Sequence, residues 1–317
     1  MYSPFLIFGA DYKLVLEESE NLSNWNEIAS YIIEKDSEIK FVRASFEKVL
    51  SDTTLTHSQS WSQETNYNRT AHVQIPKSGE GKHPIIIFLH GGGGTGNGML
   101  YQYRNHFNDY IKVGMDGYDN KWNIKSESSK ADDIDFLKSI IGQLSTYSNV
   151  DPEDITLIGT SNGAALVLKA IVEIPESLFK NAIYIASQLS YDQYREDRFW
   201  YNLFPSTQYT IQTSLPDRKK TISFHGTNDS VIPYIGGTVN WLNKNFYHAQ
   251  TSAFFIAKEQ GYTGSQLSEN GINTEYTNIM KYSYLNDSVV HYKITGGDHG
   301  LGNYRNSIVE IIESHID

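Results

Sequence analysis

Along the first part of the chain, polar and apolar positions alternate. In "YKLVLEES" and "IKFVRASF" every second residue or so is apolar, the period of a half-buried strand. Between them, "NLSNWNEIASYIIEKDSE" mixes turn formers with short apolar runs. Residues 51–70, "SDTTLTHSQSWSQETNYNRT", are polar enough to predict a linker or an exposed hairpin. From His72 onward the texture changes. "PIIIFLHGGGG" is an unbroken apolar run ending in glycine, the pattern of a strand covered on both faces. "YIKVGMDG" predicts another strand. In "KADDIDFLKSIIGQLSTYSN" the apolar residues Ile134, Phe136, Leu137, Ile140, Ile141 and Leu144 fall on one helical face. Asp132 and Asp133 stand where a first turn favours negative charge. "DITLIGT", "NAIYIAS", "KKTISFHG" and "VVHYKITGG" then read as strands, and "NGAALVLKAIVEI", "TVNWLNKNFYHA" and "NSIVEIIESHI" as helices.

Strands alternating with helices predict the α/β class: a mostly parallel central sheet with helices on both faces, plus a small β-rich N-terminal extension. The division is placed at residue 66, with 1–66 as the accessory segment and 67–317 as the main domain. A chain of 317 residues accommodates that arrangement. Its 39% hydrophobic and 20% charged residues can bury an ordinary core. The formal charge of −11 argues against nucleic acid or anionic lipid as partners. With no cysteine, disulfides, thiolate zinc and a thiol nucleophile are excluded. The first twenty residues lack the basic and long apolar regions of a signal peptide, and no run is long enough to span a membrane.

Chemistry enters at "ITLIGTSNGAAL". Gly159-Thr160-Ser161-Asn162-Gly163 fits G-x-S-x-G between a predicted strand and a predicted helix, the setting of a nucleophile elbow. Glycine two residues to either side relieves the crowding of so sharp a turn. A serine hydroxyl needs a base, and the base an orienting acid; on this scaffold they follow in the order acid, then histidine, each after a later strand. Asp229 follows "TISFHG", and His299 follows "VVHYKITGG". A lone turn aspartate is ordinarily a cap and a lone histidine ordinarily surface or core, so order and placement carry this assignment. His225, at a strand end, reads as structural. Asp298, beside His299, is disfavoured as its partner because adjacent side chains on extended backbone point apart. An oxyanion needs two backbone N–H groups. Asn162 supplies one, and the glycine run after "PIIIFLH" the other, with Gly92 the choice and Gly93 the reserve. The same run satisfies G-x-G-x-x-G at Gly91, Gly93 and Gly96, but it lacks a clear following strand ending in an acid, and "GNGMLYQYRN" is a poor start for the tight helix a dinucleotide needs.

The blocks "LHGGGGTG", "DNKWN", "ADDIDFLKSII", "NVDPEDITLIGTSNGA", "HGTNDSVIPYIGG" and "GGDHG", in that order from about Tyr67 to the end, resemble α/β-hydrolase esterases. The group includes polyhydroxybutyrate depolymerase-like proteins and the feruloyl and acetylxylan esterases of carbohydrate esterase family 1. The resemblance implies the α/β-hydrolase fold, Ser161 as nucleophile, Asp229 as acid, His299 as base, an oxyanion hole of Gly92 and Asn162, and a secreted or periplasmic location. Members often carry a tryptophan soon after the histidine and cysteines near the site. Here "GLGN" follows His299 and cysteine is absent, which leaves the substrate contacts of each subfamily open.

The expected activity is a serine carboxylic-ester hydrolase working through an acyl-enzyme. Its expected substrates are feruloyl or acetyl esters of polysaccharides, or hydroxyalkanoate-type polyesters. The alternatives are a peptidase or acyltransferase on the same scaffold, or a non-catalytic binding protein. Trp122 and the tyrosine-rich insertion between Gln188 and Asp217 are candidates to line the substrate pocket. Asp116, Asp119 and Asn120 form a conceivable calcium turn, but a solvated turn is the simpler reading. No metal or cofactor is expected, and the sequence sets no oligomeric state.

Overall fold

The computed structural model describes residues 11–19, 26–28, 41–77, 81–174, 178–215, 220–268 and 271–316. Three N-terminal strands come first, β1 (Asp11–Ser19), β2 (Asn26–Ile28) and β3 (Phe41–Val49). They form an antiparallel sheet with β1 in the middle. Most of the turn-rich segment between β1 and β3 lies outside the described residues.

The chain then runs through β4 (Thr53–Trp61), β5 (Glu64–Gln74), β6 (His83–Leu89), α1 (Gly96–Gln102), β7 (Ile111–Met115), α2 (Asp133–Leu144), β8 (Val150–Thr160), α3 (Asn162–Glu173) and β9 (Asn181–Ile185). A small insertion follows: β10 (Tyr194–Arg195), β11 (Arg198–Tyr201) and β12 (Ile211–Thr213). Next are β13 (Lys220–Gly226), the hairpin strands β14 (Gly237–Val239) and β15 (Lys244–Phe246), and α4 (Ala249–Glu259). The end comprises β16 (Ile272–Asn273), β17 (Ile279–Tyr284), β18 (Val289–Ile294) and α5 (Arg305–Ile316).

Ten strands make one sheet in the order β16-β17-β18-β13-β9-β8-β6-β7-β5-β4. From β18 to β7 every pairing is parallel, and antiparallel strands finish both edges. Side chains of β6 show why its sequence is apolar throughout. Ile85, Ile87 and Leu89 enter the core covered by α2, α3 and α4, whereas Ile86 and Phe88 enter the one covered by α1 and α5. A strand whose alternate residues point to opposite faces needs both sets apolar when both faces are covered. On α2 the predicted face is the observed one: Phe136, Leu137, Ile140, Ile141 and Leu144 are buried, with Ile134 packed at the margin.

Two local readings change. Residues 51–70 are the β4–β5 hairpin, whose strand β5 pairs with β7 of the main sheet. A division at residue 66 therefore falls inside β5, and the ten-stranded sheet begins at Thr53. The run 238–249 is not a helix. It forms the β14–β15 hairpin with a single 3-10 turn at Asn240–Leu242, and α4 starts only at Ala249. Asn240, Asn243 and Asn245 favour turns over helix interiors, and Asn243 takes a left-handed conformation (φ 49°) that ends the turn. Val239 and Phe246 find burial against Ile232 across the loop after β13.

Candidate active site

The central strand β8 ends at Thr160, and α3 begins at Asn162 with Ser161 alone at the corner. Ser161 holds φ 54° and ψ −115°, a conformation that side chains rarely adopt. A Cβ on Gly159 would collide with the Gly163 carbonyl, and one on Gly163 with the carbonyl of Leu89 on β6. Both glycines of the motif are thus required by sterics. The Ser161 N–H donates to Ile185 O on β9 at 2.8 Å, which fixes the corner between its neighbours.

Asp229 lies on the loop after β13 and His299 on the loop after β18, adjacent parallel strands. The loops are stitched together by Thr227 N–H to Ile294 O (2.9 Å), Asn228 N–H to Gly297 O (2.8 Å) and Gly296 N–H to Thr227 Oγ1 (2.8 Å). Asp229 Oδ1 accepts the N–H groups of Val231 and Ile232, each at 2.8 Å. Its Oδ2 accepts from His299 Nδ1 at 2.7 Å, and His299 Nε2 stands 2.8 Å from Ser161 Oγ. A carboxylate only accepts, so the hydrogen sits on Nδ1 and Nε2 is left to receive the serine's. Burial pushes the Asp229 carboxyl up. The N–H donors of His225, His299 and Ile232 outweigh that and hold it well below the usual carboxylate range. Asp298 is engaged elsewhere: its Oδ1 caps the turn by accepting the Leu301 N–H at 2.8 Å.

The loop after β6 brings Gly92 beside the N-terminus of α3; a Cβ built on Gly92 would touch Asn162 Cβ at 4.0 Å. The Gly92 N–H has no acceptor among the described residues, whereas the Gly93 N–H donates to Asn120 O at 2.8 Å. Gly92 is thus the open amide and the reserve choice is occupied. His90 shapes this loop. Its Nε2 accepts the Gly117 N–H at 2.9 Å, so Nδ1 carries the hydrogen and donates to Gly91 O at 2.7 Å. Burial lowers the pKa of His90, consistent with a neutral ring in that role.

Trp122 does not line the cleft at Ser161. Fully buried, it donates its indole N–H to His90 O at 2.8 Å. Its backbone N–H and C=O are gripped by the Asn162 amide at 2.7 and 3.1 Å. It is a post between the glycine loop and α3, a role no local sequence signal distinguishes from pocket lining. The insertion after β9 is also displaced from the site. Tyr201, Asn202, Leu203 and Phe204 line a separate cavity of ≈ 280 Å³ beside α2 and α3, and Tyr191 stacks on Tyr247 with ring centroids 4.1 Å apart.

Above Ser161 a cleft of ≈ 520 Å³ is lined by apolar Ala165, Val231, Ile232, Leu242 and Phe246 and by polar Lys121, Ser126, Glu127 and Ser128. The β14–β15 hairpin roofs it. Lys244 pairs with Glu127 at 2.6 Å, both side chains nearly sealed from solvent, and Ser126 Oγ donates to Leu242 O at 2.7 Å. Trp241, at the hairpin tip, is 70% exposed at the cleft mouth. Glu127, Lys244 and Trp241 escape sequence reasoning because only tertiary packing makes them neighbours. Among the described residues no cluster of three or more His, Asp or Glu is placed to hold a metal, and no helix is long and apolar enough to cross a membrane.

No family model matches the chain, and no curated protein matches it in sequence. Among solved structures it is similar to the acetyl xylan esterase from Aspergillus awamori, with TM-score 0.50, 16% identity, and coverage of 80% of this chain and 98% of that one. It is also similar to Thermogutta terrifontis Est2 in its propionate-bound form (TM-score 0.48, 18% identity, 82% and 92% covered). Est1E from Butyrivibrio proteoclasticus gives TM-score 0.46, 13% identity, and 82% and 96% covered. The sheet order, its helical layers and the acetyl xylan esterase together identify the fold as that of the α/β hydrolases.

Proposed function

We propose that this chain is a serine carboxylic-ester hydrolase that works through an acyl-enzyme. The observation that carries the reading is the continuous relay Asp229–His299–Ser161, at 2.7 and 2.8 Å, facing an open cleft with the unengaged Gly92 amide beside it. Ser161 Oγ attacks the ester carbonyl carbon while His299 Nε2 takes its proton. The carbonyl oxygen, now an anion, receives the N–H groups of Gly92 and Asn162; removing one donor of this kind typically slows an enzyme ~10²–10³-fold. Asp229 keeps the ring in the accepting tautomer and stabilises the imidazolium. His299 then protonates the leaving alkoxide, and water repeats the sequence to release the acid.

The mixed lining suits an ester that has both an apolar part, to meet side chains such as Val231 and Phe246, and a polar part, to meet Lys121 and Ser128. Feruloyl or acetyl esters of polysaccharides and hydroxyalkanoate polyesters have that character. The fold relative named as an acetyl xylan esterase makes acetylated xylan the first glycan ester to test. The experiment compares wild type with Ser161→Ala on methyl ferulate, acetylated xylan, hydroxybutyrate oligomers and p-nitrophenyl esters of graded length. Turnover is expected in the wild type and background rates in the variant. Undiminished turnover by Ser161→Ala would remove the proposal.

A further inference from the structure

His225 is the penultimate residue of β13, four residues before Asp229, and the steps above make no use of it. Its side chain is 1% exposed. Nε2 lies 3.1 Å from Asp229 Oδ2 and 2.9 Å from the Ile232 carbonyl oxygen. Both of those oxygens only accept, so Nε2 carries the hydrogen and shares it between them. The other ring nitrogen, Nδ1, is buried and meets no hydrogen-bond partner among the described residues.

Asp229 is therefore held by four donors. Val231 and Ile232 amides take Oδ1, and two imidazoles, those of His299 and His225, converge on Oδ2. Ile232 closes a ring with them, its N–H on the acid and its C=O on His225. Behind His225 stands Tyr234, edge-on at 5.7 Å, with its hydroxyl 3.0 Å from His291 Nε2 and His248 packed on its ring at 4.7 Å. The polar groups around His225 are therefore Asp229, Tyr234, His291 and His248. His225 does not itself line the cleft, although Ile232, whose carbonyl accepts from it, does.

We infer that His225 is a positioning residue for the reaction, acting through Asp229 and the neighbouring Ile232 carbonyl: it donates to Oδ2 and divides that oxygen's acceptor strength between two rings. This rests on the hydrolase reading. Two consequences separate it from a core histidine that merely fills space. Without the His225 donor the carboxylate keeps three of its four donors, so its plane, which orients His299, is held less firmly. The same oxygen, now serving one ring, accepts more strongly from His299 and makes its imidazolium easier to form.

The test uses His225→Leu, which has no donor, His225→Asn, whose amide is about one bond too short to reach Oδ2, and His225→Gln, whose amide nitrogen falls near Nε2. Each is assayed as full-length protein on a short p-nitrophenyl ester across pH, beside wild type and Ser161→Ala. For the Leu and Asn variants kcat should fall about tenfold or more, the scale of one hydrogen bond to a charged group. KM should change less than kcat, because His225 itself does not line the cleft and reaches it only through the Ile232 backbone. The acid limb of kcat/KM should move to higher pH, and His225→Gln should restore both kcat and the limb. Should His225→Leu fail to fold, the Asn and Gln pair gives the same comparison. Wild-type kcat and an unmoved acid limb in folded Leu or Asn variants would overturn the inference, and so would a Gln variant as impaired as they are. Those outcomes leave the hydrolase reading intact. That reading falls instead if Ser161→Ala keeps its turnover or the wild type has none, and this inference falls with it.

Discussion

Replacing Arg69 with Met tests how the β4–β5 hairpin supports the corner at Ser161. Arg69, on β5, points into the core with Nη2 2.6 Å from Asp133 Oδ1, and both side chains are wholly buried. Nη1 donates to Gln59 Oε1 at 3.1 Å, and the guanidinium lies 4.4 Å over the Phe136 ring. Asp133 Oδ2 in turn accepts the Asn123 N–H at 2.6 Å, next to the Trp122 backbone that grips Asn162. Methionine matches the stem of arginine but strands the carboxylate. Breaking a buried pair by removing one partner costs about 3–5 kcal/mol, a large share of the roughly 5–15 kcal/mol that holds an ordinary domain. The deficit should depend on pH. Burial already holds the Asp133 carboxyl above its usual value, with Arg69 pulling it down, so the variant lets it climb further. A carboxyl whose folded pKa exceeds its unfolded value of about 3.9 loses stability as pH rises between the two, ~1.4 kcal/mol per unit. Urea unfolding should therefore show a larger deficit at pH 7.5 than at pH 5. Adding Asp133→Leu removes both charges and leaves the Asn123 N–H and Gln59 Oε1 short of a partner, at ~1–3 kcal/mol each, so the double variant should be more stable than Arg69→Met at pH 7.5. A deficit below about 1 kcal/mol for the single variant, or a double variant no better than the single, refutes the buried-pair argument.

Two further predictions follow from the same geometry. Asp229→Asn keeps an acceptor for the Val231 and Ile232 amides but presents an NH₂ to His299 Nδ1, forcing the hydrogen onto Nε2 where the serine needs a base. The expected result is a loss of about 10⁴ in kcat, read on a p-nitrophenyl ester, and a loss under tenfold would contradict the tautomer assignment. Burial also depresses the pKa values of His291, His90 and His315, the last to about 4. Between those values and about 6.5 the unfolded chain binds protons that the folded one refuses, so stability is full above pH ~6.5 and falls below it by up to ~1.4 kcal/mol per unit per histidine. Thermal unfolding should show Tm dropping from pH 7 to pH 5, with His291→Gln giving the shallower slope; a flat Tm profile in the wild type would count against it.

How much could be read without coordinates varies by element. β6 and α2 were legible because burial on both faces or on one face writes its period directly into neighbouring residues. Hairpin 238–249 was not, since its apolar residues repeat at a spacing that suits a helix while three asparagines and a left-handed turn decide otherwise. α4 escaped notice for the complementary reason that its apolar face is weak and its burial comes from contacts with β17 and β18. The polar 51–70 run looked peripheral, yet hydrogen bonding to β7 makes it part of the main sheet.

The amino-acid sequence alone determined the class of fold, the strained corner at Ser161, and which acid and which histidine could serve it. Those features depend on interactions spanning a few residues: side-chain period, the clash that only glycine avoids, and chain order. The tertiary structure decided what lies across space. It turned Trp122 from a candidate contact into a buried strut, left Gly92 open while closing Gly93, roofed the cleft with Lys244 and Glu127, and set His225 on the same oxygen as His299. Such pairings join residues distant in sequence, and only the packing of the whole sheet brings their atoms within reach of one another.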